Sequence, residues 1–103
     1  MAVELNYQQL GEGPPLVILH GLFGSLDNWR TLGKRFAERC TVYLVDQRNH
    51  GRTPHAEPHT YAAMADDLLR FLDDHNIDKA HIIGHSMGGK TLLKFITENA
   101  DRV

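Results

Sequence analysis

The sequence has 103 residues, of which 42% are hydrophobic and 23% charged, with a formal net charge of -2. That length carries one small domain, the balance is that of an ordinary globular chain, and the charge offers no basic face for a nucleic-acid partner. Cys40 is the single cysteine, which excludes an intramolecular disulfide and accords with a reducing, cytoplasmic compartment; "MAVELNYQQL" lacks the apolar segment of a secretory signal, and the longest wholly apolar run, residues 16–19, is too short for membrane insertion.

Residues 3–10 alternate weakly and predict a first strand, broken by the turn residues of "GEGPP". "LVILHG" predicts a short strand buried on both faces. The loop "GLFGSLD" follows. Asp27 is the expected N-cap of a helix that carries Trp29, Leu32 and Phe36 along its core face. "TVYLVD" is the next buried strand, and Cys40 beside its start reads as a small buried hydrophobe. A long polar loop, "QRNHGRTPHAEPH", comes next. Thr60 predicts the cap of a helix with Tyr61, Ala65, Leu68 and Leu72 on one face. "KAHIIG" predicts a third buried strand, and Met87–Asn99 a helix with Leu92, Leu93 and Ile96 inward.

Buried strands alternating with helices predict an α/β fold with a mostly parallel sheet. Three polar, glycine-bearing segments, "HGLFGS", "DQRNHGRT" and "GHSMGG", begin at the carboxyl ends of these strands. They are expected to gather at the sheet edge where such folds bind ligands. The chain stops after a helix, where another β-α pattern would supply the next strand. The expectation is that residues 1–103 are the N-terminal portion of a single larger domain.

"GHSMGGKT", residues 84–91, fits two templates. As G-x-x-x-x-G-K-[ST] it would wrap phosphates, with Lys90 on the terminal ones, Thr91 on a magnesium ion and Asp46 as the neighbouring acid. His85, Ser86 and Met87 put three side chains where a wrapping loop prefers small residues, and "HGLFGS" is left unexplained. As G-x-S-x-G it is a strand-to-helix turn presenting Ser86 as a nucleophile. Gly84 and Gly88 then avoid a collision across the bend. The N–H of Met87 faces the oxyanion of acyl transfer, and "HGLFGS" lends a second donor through the N–H of Leu22 or Phe23. Such a donor is worth roughly 10²–10³ in turnover. This template explains two loops with one mechanism.

"HGLFGSLDNW", "DQRNHGRT" and "GHSMGGKT", in this order and spacing, resemble the α/β-hydrolase fold, and more narrowly the bacterial YbfF-type esterases and their mitochondrial ABHD-type relatives. The resemblance runs from about Leu16 to Val103. Thr53 and Ala100 depart from it, where the group usually has Ser and Pro. It implies hydrolysis of carboxylic esters or acyl thioesters of small molecules, without metal or cofactor. It also implies Ser86 as nucleophile, Leu22 and Met87 as oxyanion donors, His20-Gly21 as the mark of the oxyanion loop, and Phe23 as an acyl-pocket residue. The family's acid and base histidine lie downstream of the nucleophile, beyond Val103. The 103 residues alone are therefore expected to be nearly inactive and poorly folded. A phosphate-loop protein and a non-catalytic remnant of the fold are the alternatives.

The seven histidines divide by position. His85, adjacent to Ser86, is expected to point away from it. His20 stands at the floor of the site, on the substrate side, where it can also brace the oxyanion loop. His50, His55 and His59 share a polar loop and read as solvated rather than as metal ligands. Asp46 and Arg48 are expected to hold the loop after their strand in shape through backbone and ion-pair contacts.

Overall fold

The three apolar runs become neighbouring strands of one sheet. The computed structural model, which describes residues 2–103, has strands β1 (Tyr7–Leu10), β2 (Pro15–Leu19), β3 (Thr41–Val45) and β4 (His81–Gly84). Its helices are α1 (Arg30–Phe36), α2 (Tyr61–Asp74) and α3 (Met87–Asn99). The strand order is β1-β3-β2-β4. β2 runs parallel to β3, with Leu16 opposite Val42, and parallel to β4, with Leu16 opposite His81. β1 is antiparallel to β3. From β2 the chain goes first to one neighbour and then to the other. The strand order therefore reverses at the carboxyl end of β2, the place where α/β sheets open a ligand crevice.

Alternation along β2 and β3 splits the core in two. Val17, Leu19, Tyr43 and Val45 pack on one face with Leu68, Phe71 and Leu72 of α2 and Phe95 of α3. Leu16, Ile18, Val42 and Leu44 pack on the other face with Leu26 and, from α1 and its approach, Trp29 and Phe36. Burial on both faces is why these strands read as continuous apolar runs. Cys40 is half-buried against the second cluster, as a small hydrophobe.

Five expectations need correction. The first strand is shorter than residues 3–10. The N–H of Val3 donates to Asp67 at 2.8 Å and that of Asn6 to Thr53 Oγ1 at 2.8 Å, so side chains satisfy this stretch in place of a ladder. Ser25, not Asp27, caps the first helical segment. Its Oγ accepts from the Asp27 N–H while Asn28 Oδ1 accepts from the Ser25 N–H, a reciprocal box on the 3₁₀ turn Leu26–Trp29. That tighter turn shifts the phase of the following α1, so Gly33 faces inward and Leu32 is 40% exposed. In α3 the buried stripe is Met87, Thr91 and Phe95, spaced by four. Leu92 is partly buried, whereas Leu93 and Ile96 are exposed. Finally, β4 has a strand neighbour on one side only and is half-buried rather than buried.

Thr60 does cap α2, its Oγ1 accepting the Ala63 N–H at 3.1 Å. Ala65, Leu68 and Leu72 lie inward, and Tyr61 at the helix start is exposed. No helix among the described residues is long and apolar enough to cross a membrane.

Candidate active site

β4 ends at Gly84 and α3 begins at Met87, leaving two residues for the reversal. Ser86 absorbs it with φ 54° and ψ −112°, a conformation that an L-residue holds only under strain. The bend brings backbone onto backbone. A Cβ on Gly84 would stand 2.5 Å from the carbonyl oxygen of Gly88. A Cβ on Gly88 would run into the carbonyl oxygens of Leu19 and His20. Glycine is required at both positions by close approach.

The loop after β2 lies against this turn. A Cβ on Gly21 would be 3.3 Å from Ser86 Cβ. Exposed Ser86 opens on a cavity of about 310 Å³ lined by Leu22, His59, Tyr61, Met64, Met87 and Lys90. The N–H of Met87 belongs to the first turn of α3, whose amides lack helical acceptors. Among the described residues, neither it nor the N–H of Leu22 is drawn into a backbone hydrogen bond outside regular elements. The N–H of Phe23 differs, for it donates to His50 Nε2 at 3.1 Å. Of the two donors considered from sequence, only Leu22 keeps its amide uncommitted.

Phe23 has φ 61° and a side chain 91% exposed, and it lines neither cavity near the turn. His85 lines the other cavity, about 510 Å³, and meets Trp29 edge to face at 5.7 Å. It points away from the Ser86 side, as its place beside Ser86 predicted.

His20 is a brace rather than a substrate contact. It is fully buried, its Nδ1 donates to the Gly21 carbonyl at 2.8 Å, and its Nε2 accepts the Gln47 N–H at 2.9 Å. A carbonyl only accepts and an amide only donates, so the ring is neutral with its proton on Nδ1. Burial pushes its pKa down, against the smaller upward pull of the Gly21 carbonyl. His50, expected in solvent, is buried too. Its Nδ1 meets the Arg48 carbonyl at 2.9 Å while Nε2 takes the Phe23 N–H. Two histidines thus hold the loop after β2 to the loop after β3. Sequence spacing could not reveal this, because the pairing is made across strands.

Asp46 and Arg48 hold their loop as expected. Asp46 accepts from the N–H of Leu26 at 2.7 Å, from Asn6 Nδ2 at 2.9 Å and from the N–H of Arg52 at 3.0 Å. Arg48 makes a two-pronged pair with Asp67 at 2.8 and 2.9 Å and donates to the Pro58 carbonyl at 2.7 Å. The hydrogen bonds to Asp67 hold the guanidinium above its ordinary pKa despite burial. This geometry removes the phosphate-loop alternative. The Thr91 hydroxyl is buried on Gln47 at 2.9 Å, and the Asp46 carboxylate is spent on three N–H donors, so neither is available to a metal-bound nucleotide. Among the described residues no three metal-ligating side chains cluster.

A mostly parallel α/β sheet whose edge strand runs through a strained Gly-x-Ser-x-Gly turn, with the loop of the central strand against it, defines a class. The chain belongs to the alpha/beta hydrolase fold family, which it matches over residues 14–103. It is 44% identical, over its whole length, to the abhydrolase domain-containing protein C22H12.03 of Schizosaccharomyces pombe, covering 39% of that protein. Over 86% of its length it is 46% identical to esterase YbfF of Escherichia coli, covering 35% of that protein. It superposes on a marine microorganism esterase with a TM-score of 0.97 and 48% identity, over 99% of this chain and 40% of that one. The chain thus spans about two fifths of these relatives.

Proposed function

We propose that this chain carries the nucleophile and oxyanion hole of a serine hydrolase that cleaves carboxylic esters or acyl thioesters of small molecules. The observation that carries the reading is the strained backbone of Ser86 beside two uncommitted amides, Leu22 and Met87. Esterase names among the relatives support the substrate class. Residues 1–103 are, in this reading, the N-terminal part of one α/β-hydrolase domain. Its acid and base come from chain that aligns with the remainder of the relatives.

The chemistry has two steps. Ser86 Oγ attacks the acyl carbon while its proton passes to the base histidine. The carbonyl oxygen becomes an anion between the N–H groups of Leu22 and Met87, at the positive end of α3. The tetrahedral adduct collapses to an acyl-serine, and the alcohol or thiol leaves with the proton. Water then attacks the acyl-serine by the same route and releases the acid. The apolar side chains that line the Ser86 cavity, Leu22, Tyr61, Met64 and Met87, are the surface offered to an acyl chain, whereas Phe23 lies outside that cavity.

A fluorophosphonate probe tests this on the whole protein. Labelling of Ser86, with loss of hydrolysis of p-nitrophenyl butyrate, is the expected result. A folded protein that neither labels nor hydrolyses would be a non-catalytic remnant of the fold. The isolated 103 residues should show only residual turnover, since the triad partners are needed for the rest.

A further inference from the structure

We infer that Gln47 is a positioning residue that fixes the separation between the two candidate oxyanion donors. The inference rests on the roles proposed above for Ser86, Leu22 and Met87. Gln47 is 3% exposed and directly follows Asp46, the first residue after β3. Its backbone N–H donates to His20 Nε2 at 2.9 Å, and its side-chain Nε2 donates to the His20 carbonyl at 2.8 Å. The other end of the amide, Oε1, accepts from Thr91 Oγ1 at 2.9 Å. The amide orientation is forced, because a carbonyl oxygen can only accept.

One side chain therefore adds a link between the loop after β2 and α3, beyond the β2–β4 ladder that ends at Leu19 and Gly84. His20 is where β2 passes into the loop bearing Leu22. Thr91 stands one turn into α3, above Met87, whose carbonyl lies 3.2 Å from the same hydroxyl. Leu22 and Met87 must converge on a single oxygen, and a displacement of about 1 Å at such a site can lower a rate by about 100-fold. An apolar residue would fill the same space without the need to satisfy a buried amide. Placing a polar, two-ended group between His20 and Thr91 makes sense if distance, rather than burial, is what the position controls.

Gln47→Leu, Thr91→Val and the double variant test this in the whole protein, with active sites counted by fluorophosphonate titration of Ser86. Each single variant should lower kcat for p-nitrophenyl butyrate by about tenfold with KM within about twofold, and the double should be no worse than either, because both remove one link. A trifluoromethyl ketone, whose adduct places an oxyanion between the same amides, should bind about tenfold more weakly. Thr91→Ser should restore both values. Unchanged kcat per titrated site and unchanged ketone binding, with only a lowered Tm, would mean that Gln47 is structural and would overturn the inference. If Gln47→Leu fails to fold, Thr91→Val decides alone by the same two readings. A wild-type protein that neither labels nor hydrolyses overturns the proposed function itself and this inference with it.

Discussion

Gly84 and Gly88 meet backbone to backbone across the Ser86 bend, so closely that a methyl group on the first would sit 2.5 Å from the carbonyl oxygen of the second. Neither side of that contact is a flexible side chain, so nothing can swing away. Gly84→Ala should therefore destabilise the protein by about 3 kcal/mol, the upper range for overpacking a rigid site. Urea unfolding followed by circular dichroism measures this. A loss below about 0.5 kcal/mol, the level of a neutral surface change, would show that the turn has slack.

Strain at the same bend predicts the opposite sign one position away. Ser86 sits at φ 54°, ψ −112°, a conformation costing a non-glycine residue of order 1–3 kcal/mol. Ser86→Gly should abolish fluorophosphonate labelling and yet raise stability by about 1 kcal/mol, after subtracting the extra freedom glycine gives the unfolded chain. A destabilised variant would show that Ser86 is held by contacts rather than forced by the fold.

Much of this site was legible because its chemistry is local. The Gly84, Ser86 and Gly88 spacing announces a tight turn, and the apolar runs before "HGLFGS" and "DQRNHGRT" announce strands that deliver loops to one edge. What stayed hidden depends on partners distant in sequence. His50 looks like any loop histidine until β3 lies beside β2 and Phe23 offers its N–H. Gln47 carries no motif, and its value appears only once His20 and Thr91 are neighbours. The inward face of α3 is not the one its composition suggests: Leu93 and Ile96 are more apolar than Thr91, yet Met87 and Gly88 are buried at the turn and Thr91 and Phe95 follow them inward. Thr91 is tolerated inside because Gln47 satisfies its hydroxyl.

Arg48 and Asp67 make a second testable tie. Their side chains are 0% and 2% exposed and joined at 2.8 Å, and Asp67 also accepts the Val3 N–H. Asp67→Asn leaves the guanidinium buried beside a neutral amide. Removing one partner of such a pair typically costs about 3–5 kcal/mol. The urea midpoint should fall accordingly, whereas Asp74→Asn, at an exposed pair with Arg70, should change it by less than about 0.5 kcal/mol.

His59 shares the 310 Å³ cavity with Ser86, although its loop suggested solvent alone. Its Nδ1 lies 3.0 Å from Asn49 Nδ2, and no hydrogen bond joins it to Ser86 among the described residues. In the proposed function the base comes from elsewhere and His59 shapes the cavity wall. His59→Gln should leave the rate of Ser86 labelling within about threefold. A loss of about 10³ or more, the scale of removing a triad base, would make His59 the base and overturn that part of the reading.

Burial of His20 makes stability depend on pH with a definite sign. In the folded chain the ring is neutral, held by the Gly21 carbonyl and the Gln47 N–H, and desolvation lowers its pKa below the ordinary 6.5. The unfolded chain takes up a proton as pH falls through 6.5, and the folded chain resists. Where the unfolded state binds more protons, stability rises with pH. The contribution is therefore fully present above 6.5 and is lost as pH drops below it. Protonation at Nε2 would also set a donor against the Gln47 N–H, breaking the link to the loop that bears Leu22. Tm should fall between pH 7.5 and pH 5.5, two values chosen to bracket the ordinary histidine range, and the slope should be shallower in His20→Asn, which removes the titrating group. Equal slopes in the two proteins would assign the pH dependence to other groups and remove His20 from the account.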